Sequence, residues 1–186
     1  MSVLPIHVLG SPILRQATRP VEKVTDDLRR LIDDMIETMY GARGIGLAAP
    51  QVGRTERVAV IDTVGDSPFA IVNPTVVESE GSEKGEEGCL SIPDIYGDVT
   101  RPGRVMVRAL DRDGKEIEIE ADDLLARCLQ HEIDHLDGKL FIDYLSVLRR
   151  RAAMAKWATM KGQYPGFIRT LSAEEIAEHH HRDEEL

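Results

Sequence analysis

Apolar residues recur at three- and four-residue spacing from Asp26 to Tyr40: Leu28, Leu31, Ile32, Met35, Ile36 and Met39. That period predicts an amphipathic helix, which Thr25 can cap and Gly41 can end. A glycine-rich loop comes next, then the apolar run Val58–Ile61, read as a strand. Residues 70–77 read as extended but broken at Asn73-Pro74. Val105, Val107 and Ala109 alternate with Met106, Arg108 and Leu110, and Ile117 and Ile119 alternate with glutamates. With Asp111-Arg112-Asp113-Gly114 between them, these two runs predict a hairpin. Leu124, Leu125, Cys128, Leu129 and Leu136 then form one stripe of a second helix, with acidic Asp122-Asp123 at its start and Gly138 past its end. A basic, Ala-rich helix is predicted from about Leu145 to Lys161, and past Pro165-Gly166 a capping box pairs Ser172 with Glu175. No internal repeat interrupts this order, which suggests an α+β fold with a mostly antiparallel sheet.

The 186 residues suffice for one core and are too few for two comfortable ones. A net charge of −10 argues against broad electrostatic capture of DNA or an anionic membrane. One local basic patch, Arg149-Arg150-Arg151, stands against that trend. Two cysteines make no disulfide framework, and no run is long and apolar enough to span a membrane. The first ten residues lack the features of a secretory signal, so a cytoplasmic location is expected.

Within the second helix stands His131-Glu132-Ile133-Asp134-His135. Two histidines four apart lie about one turn, roughly 6 Å, along the same helix face. Their imidazoles can converge on one ion while Glu132 moves a proton. The plainer alternative is two core histidines and a surface glutamate. A catalytic site wants a third protein ligand, and either cysteine is a candidate. Cys128 shares the helix face but lies seven residues from His135, about 10 Å of rise. Bonds of about 2 Å do not easily gather side chains strung over that distance. Cys89 lies on a separate segment, Glu86-Glu87-Gly88-Cys89-Leu90-Ser91, where Gly88 allows a sharp bend. Geometry favours Cys89 and leaves Cys128 as a buried thiol.

Gly44-Ile45-Gly46-Leu47-Ala48-Ala49-Pro50-Gln51 fits the dinucleotide pattern G-x-G-x-x-A, but that pattern needs a strand before it and a helix after it. Here a helix precedes and Pro50 follows. The better reading is a loop whose main chain a substrate can approach, with the Gln51 amide at its end. A tight turn packed on the first helix is the structural alternative.

Taken in order, GIGLAAPQ from Gly44, EGCLS from Glu87 and HEIDHLDG from His131 resemble peptide deformylase, over roughly the first 160 residues. The resemblance implies antiparallel sheets packed around a central metal-binding helix, with an N-terminal and a C-terminal helix. It implies a hydrolase that removes the formyl group from the N-terminal formyl-methionine of new polypeptides, by attack of a metal-bound water. Cys89, His131 and His135 would hold the metal, implied to be Fe(II), with zinc, nickel or cobalt as substitutes. Glu132 would be general base and acid. Gln51 and the Leu90 N–H would bind the formyl oxygen, and Ile45 and Gly46 would meet the substrate backbone. Tyr96 stands where many relatives have an arginine near the substrate entrance. Arg127 falls where an apolar residue would wall the methionine pocket, and is expected to keep its charge in water. Asp134 could pair with Arg101 to orient the site, although a plain surface ion pair reads as well.

The domain is expected to span residues 1–162, its last helix included, with 163–186 a charged extension whose loss small substrates would tolerate. The basic helix is implied to dock on the ribosome, although a solvated surface helix reads as well. His179-His180-His181 reads as an exposed polar tract. Two rival functions remain on these residues: an HExxH-type metallo-endopeptidase, and a non-catalytic ribosome-associated protein.

Overall fold

A computed structural model describes residues 2–177; the His179-His180-His181 tract lies outside them. The first helix, α1 (Asp26–Gly41), starts where Thr25 accepts a hydrogen bond from the Leu28 N–H at 3.2 Å. Its apolar stripe packs on a five-stranded antiparallel sheet of β2 (Gly46–Ala48), β3 (Val58–Ile61), β4 (Phe69–Glu80), β7 (Arg104–Leu110) and β8 (Glu116–Asp122). The spatial order is β2-β3-β4-β7-β8, which leaves β2 at one edge.

Strand periodicity divides the sheet between two helices. Leu47, Val58, Val60, Ala70 and Val72 point toward α1. Ala48, Ala59, Ile61, Ile71, Val105 and Val107 pack with the opposite helix, α2 (Asp123–Leu136), through its Cys128, Leu129, Ile133 and Leu136. β3 is buried on both faces, which is why it reads as an unbroken apolar run. The outer face of β8 carries the glutamates that alternate in the sequence.

One expectation is corrected. Asn73-Pro74 does not break the extended run: β4 continues through it, and the ladder to β7 shifts register between Val72 and Thr75. Asn73 takes a left-handed φ of 52°, with its side-chain amide on the Val21 N–H and C=O, both at 2.8 Å. Beyond Gly162 the chain returns to the body. Past α3 (Val147–Met160), β9 (Ile168–Arg169) pairs antiparallel with β1 (Ile6–His7), and Leu171 is buried with Ile6 and Ala42. Its apolar side chains have a place in the body to pack, so it folds onto it. The Ser172–Glu175 capping box forms as expected.

The hairpin of β5 (Glu83–Cys89) and β6 (Ile92–Arg101) was not legible as strands. It is a two-stranded ribbon, and β5 is mostly polar, so no apolar alternation marks it. Ile92, Ile95 and Val99 of β6 pack with Leu140, Phe141, Leu145 and Trp157 in a separate core cluster. The hairpin thereby lies across α2 from the large sheet. Among the described residues no helix is long and apolar enough to cross a membrane.

The bulge gives a stability test. Asn73→Ala should lower unfolding free energy by about 2 kcal/mol, since it loses two hydrogen bonds and keeps a left-handed φ. Asn73→Gly should recover about 1 kcal/mol of that by relieving the φ constraint alone. Urea unfolding of the three proteins checks the order.

Candidate active site

Cys89 ends β5 at the tip of the ribbon, where Leu90 and Ser91 make the turn into β6. His131 and His135 lie on neighbouring turns of α2. The tip docks so that one ligand atom from each of Cys89, His131 and His135 falls within 4.8 Å of the others. Cys89 Sγ is 3.2 Å from His135 Nε2. The donor set, one sulfur and two imidazole nitrogens drawn from two segments, fits a four-coordinate ion with one position for water or substrate. Cys128 is not part of this group. It is buried one turn away, and its thiol faces the Ile45 carbonyl at 3.5 Å.

His131 is held from behind, whereas His135 Nδ1 is buried with no hydrogen-bond partner among the described residues. His131 Nδ1 meets Glu87 Oε2 at 3.0 Å, leaving Nε2 for the cluster. Glu87 is buried and takes a bidentate pair from Arg101, Nε to Oε1 at 2.5 Å and Nη2 to Oε2 at 2.9 Å. Arg101 continues to Asp134 at 2.8 Å, the pairing expected from the sequence, and lies 4.8 Å over the Tyr144 ring. Burial alone would raise the Glu87 pKa; hydrogen bonds from Arg101 and His131 outweigh it and hold the carboxyl down at about 2. Burial likewise disfavours charge on His131, but its bonds to Cys89 and Glu87 prevail and raise its pKa. His135 is pushed the other way, by burial first and then by the positive side chains around it.

Arg127 corrects the expectation that its charge stays in water. Its side chain is only 16% exposed. The guanidinium donates to Glu87 Oε1 at 2.8 Å and to the Val99 and Glu83 carbonyls, each at 2.9 Å. Gly85 makes room for it: a Cβ there would lie 2.9 Å from the guanidinium carbon.

Glu132 is 4% exposed, and its Oε2 has no hydrogen-bond partner among the described residues. Burial, the largest effect, raises its pKa to about 7; His131 and Arg101 oppose the rise while Glu87 and Asp134 add to it. A buried carboxylate oxygen without a donor costs on the order of 1–3 kcal/mol. Binding a proton donor there offsets that cost.

Gln51 is 1% exposed, and the network fixes its amide. Oε1 accepts the Ala48 N–H at 2.8 Å, so Nε2 faces Ser91 Oγ at 3.1 Å and Cys89 Sγ at 3.6 Å. The loop glycines are explained by contacts. A Cβ on Gly46 would meet Glu132 Oε1 at 2.4 Å and Cys128 Sγ at 2.9 Å, and one on Gly44 would meet a Leu90 methyl at 2.7 Å. Gly88 stands where the ribbon's ladder shifts register before Cys89, and it also leaves space for the Tyr96 ring, which lies 2.6 Å from a notional Cβ. Gln51, Cys89, Leu90, His131 and Glu132 line one cleft of about 720 Å³, with Ile45 and Gly46 along its side. His135 sits behind it. Sequence reasoning assigned no role to Glu87 or Ser91; only their place inside the EGCLS segment marked them.

Residues 3–151 match the family model described as polypeptide deformylase. A peptide deformylase from Alkalilimnicola ehrlichii is 54% identical over 159 residues, 84% of this chain and 89% of the relative. One from Mesorhizobium japonicum is 51% identical over 172 residues, 89% of this chain and 98% of the relative. The crystal structure of a peptide deformylase from Legionella pneumophila aligns with a TM-score of 0.84 at 50% identity, covering 87% of this chain and 97% of that one. The chain belongs to the polypeptide deformylase family.

Two substitutions separate the thiols. Cys89→Ser should lose most bound metal, whereas Cys128→Ser should retain it; elemental analysis of both after anaerobic loading reads the difference. Glu87→Gln should weaken metal affinity by about 10–100-fold, since the His131 ring loses its charged anchor.

Proposed function

We propose, from membership of that family and from the site itself, that this chain removes the N-formyl group from the formyl-methionyl end of newly made polypeptides and releases formate. The observation that carries this reading is the convergence of Cys89, His131 and His135 beside a fixed Gln51 amide and a buried, unpartnered Glu132 oxygen. Cys89, His131 and His135 would hold a divalent ion, which supplies Lewis-acid polarisation of the formyl carbonyl and makes water nucleophilic near neutral pH. We assign Fe(II) to that place from membership of the family; one thiolate and two imidazoles accept zinc, nickel or cobalt as substitutes.

The chain's own groups do the rest. Glu132 takes the proton from the attacking water and later gives it to the leaving amine. Burial raises its pKa to about 7, near the middle of the range where both transfers are accessible. Gln51 Nε2 donates to the formyl oxygen as charge develops there, joined by the Leu90 N–H at the ribbon tip. One such donor typically contributes about 3 kcal/mol to lowering the barrier. Gln51 loses little on reaction because Ala48 already holds the other end of its amide.

The peptide lies along the outer edge of β2, where Ile45 and Gly46 offer main-chain groups to an extended strand. Edge addition reads backbone rather than side chains, which suits substrates of varied sequence. We extend the reading to the ribosome, where such substrates emerge. Exposed Val147 and Leu148 at the start of α3, beside Arg149–Arg151, support docking there.

Formate release from formyl-Met-Ala-Ser, without cleavage of casein or of acetyl-Met-Ala-Ser, is the expected result; the reverse pattern would make the chain an endopeptidase. Ribosome binding with no turnover by Fe(II)- or Ni(II)-loaded protein would make it a non-catalytic binder. Glu132→Gln should retain metal and lose at least 100-fold in kcat, about the contribution of a positioned base. Metal content and single-turnover rate on one preparation check it.

A further inference from the structure

The cleft has a wall that the family model does not reach. Tyr164, Arg169 and Glu175 line the same cavity as Glu132 and Cys89, yet all three follow residue 151, where the family match ends. They are held in place from several directions. The Tyr164 ring stacks on buried Trp157, with centroids 5.7 Å apart. The Phe167 carbonyl accepts the Val8 N–H at 2.9 Å, and the Phe167 ring occupies the space over Gly10 that a Cβ would need. Arg169 pairs with Ile6 across β1 and β9. Leu171 is buried against Ile6 and Ala42, and Leu90 packs on that same cluster.

Within this wall the Arg169 guanidinium is oriented. Its Nη2 donates to Glu175 Oε1 at 2.8 Å, while Glu175 Oε2 accepts the Ser172 N–H at 2.7 Å. Glu175 is thus fixed by the capping box and fixes Arg169 in turn. The arginine side chain is 20% exposed. One of its five N–H groups serves the carboxylate, and since Arg169 lines the cleft, others are left for a ligand there. Because Glu175 offsets the charge, these donors suit a neutral carbonyl oxygen better than a second carboxylate.

Resting on the deformylase reading above, we propose that Arg169 is a specificity-determining residue that binds a main-chain carbonyl of the substrate beyond the formyl-methionine. The C-terminal segment thereby forms the second side of a peptide channel whose first side is the β2 edge. Recognition through a carbonyl measures peptide length and is indifferent to side chain.

The test measures kcat and KM of the metal-loaded full chain on formyl-Met-amide, formyl-Met-Ala-amide and formyl-Met-Ala-Ser-amide, for the natural protein, Arg169→Gln and Arg169→Lys. The natural protein should gain in kcat/KM with length. Arg169→Gln should lose about tenfold on the longest substrate, nearly all in KM, as expected for one charge-assisted hydrogen bond made equally in ground and transition states. Its deficit should shrink to less than twofold on formyl-Met-amide, and Arg169→Lys should fall between the two proteins. An equal loss at every length, or no loss at any, overturns the proposal. If the natural protein releases no formate from any substrate, the deformylase reading itself fails and this inference falls with it.

Discussion

The site depends on one buried carboxylate. Glu87 sits on β5, yet its partners come from the end of β6 (Arg101) and from α2 (Arg127 and His131). The same contacts therefore dock the ribbon that carries Cys89 onto the helix that carries the histidines. Removing one partner from such a group leaves an uncompensated charge, at a cost of about 3–5 kcal/mol. That cost makes sliding of the ribbon along α2 expensive, which a purely apolar contact would not. Glu87 and Asp134 balance Arg101 and Arg127, so the network orients His131 while adding no net charge to the site.

The second constraint is space. Gly46 lets Glu132 lie against β2, Gly44 lets Leu90 lie against the loop, and Gly85 leaves room for the Arg127 guanidinium. None of these three glycines has a left-handed φ; each is needed for what packs on it. The reactive groups are consequently set by sheet, ribbon and helix rather than by a free loop. Rigid elements hold a constellation closer to working geometry than loops do.

What the sequence disclosed follows from the same physics. α1, β3, the β7–β8 hairpin and α2 each bury one face or both against a large partner, so their apolar spacing is regular and their limits lie close to expectation. The separation of Cys89 from Cys128 was also readable, because helix rise alone sets the second thiol at an awkward distance. The β5–β6 ribbon was not, since its strands pair chiefly with each other and keep a polar face. Nor was Arg127: a cation inside a pocket wall makes sense only once Glu87 and two carbonyls are seen to receive it. The closure of the tail was hidden for a different reason. β9 has two residues, and its partner β1 lies more than 150 positions away at the other end of the chain, so no local pattern announces the pairing.

That closure ties the two ends of the chain to the chemistry. Leu90, whose N–H is assigned to the formyl oxygen, packs its side chain on the cluster of Ile6, Ala42 and Leu171. The first strand, the end of α1 and the C-terminal segment thus meet beneath one turn residue of the ribbon. A backbone donor is useful in catalysis only if it is aimed before the reaction begins. For Leu90 the aiming comes on one side from the ribbon, anchored through Glu87, and on the other from apolar contacts with the α1 core and with the cluster that Leu171 completes. The segment beyond the family's matched region therefore bears on two things at once, the wall along which the peptide is proposed to lie and the support under the group assigned to its carbonyl.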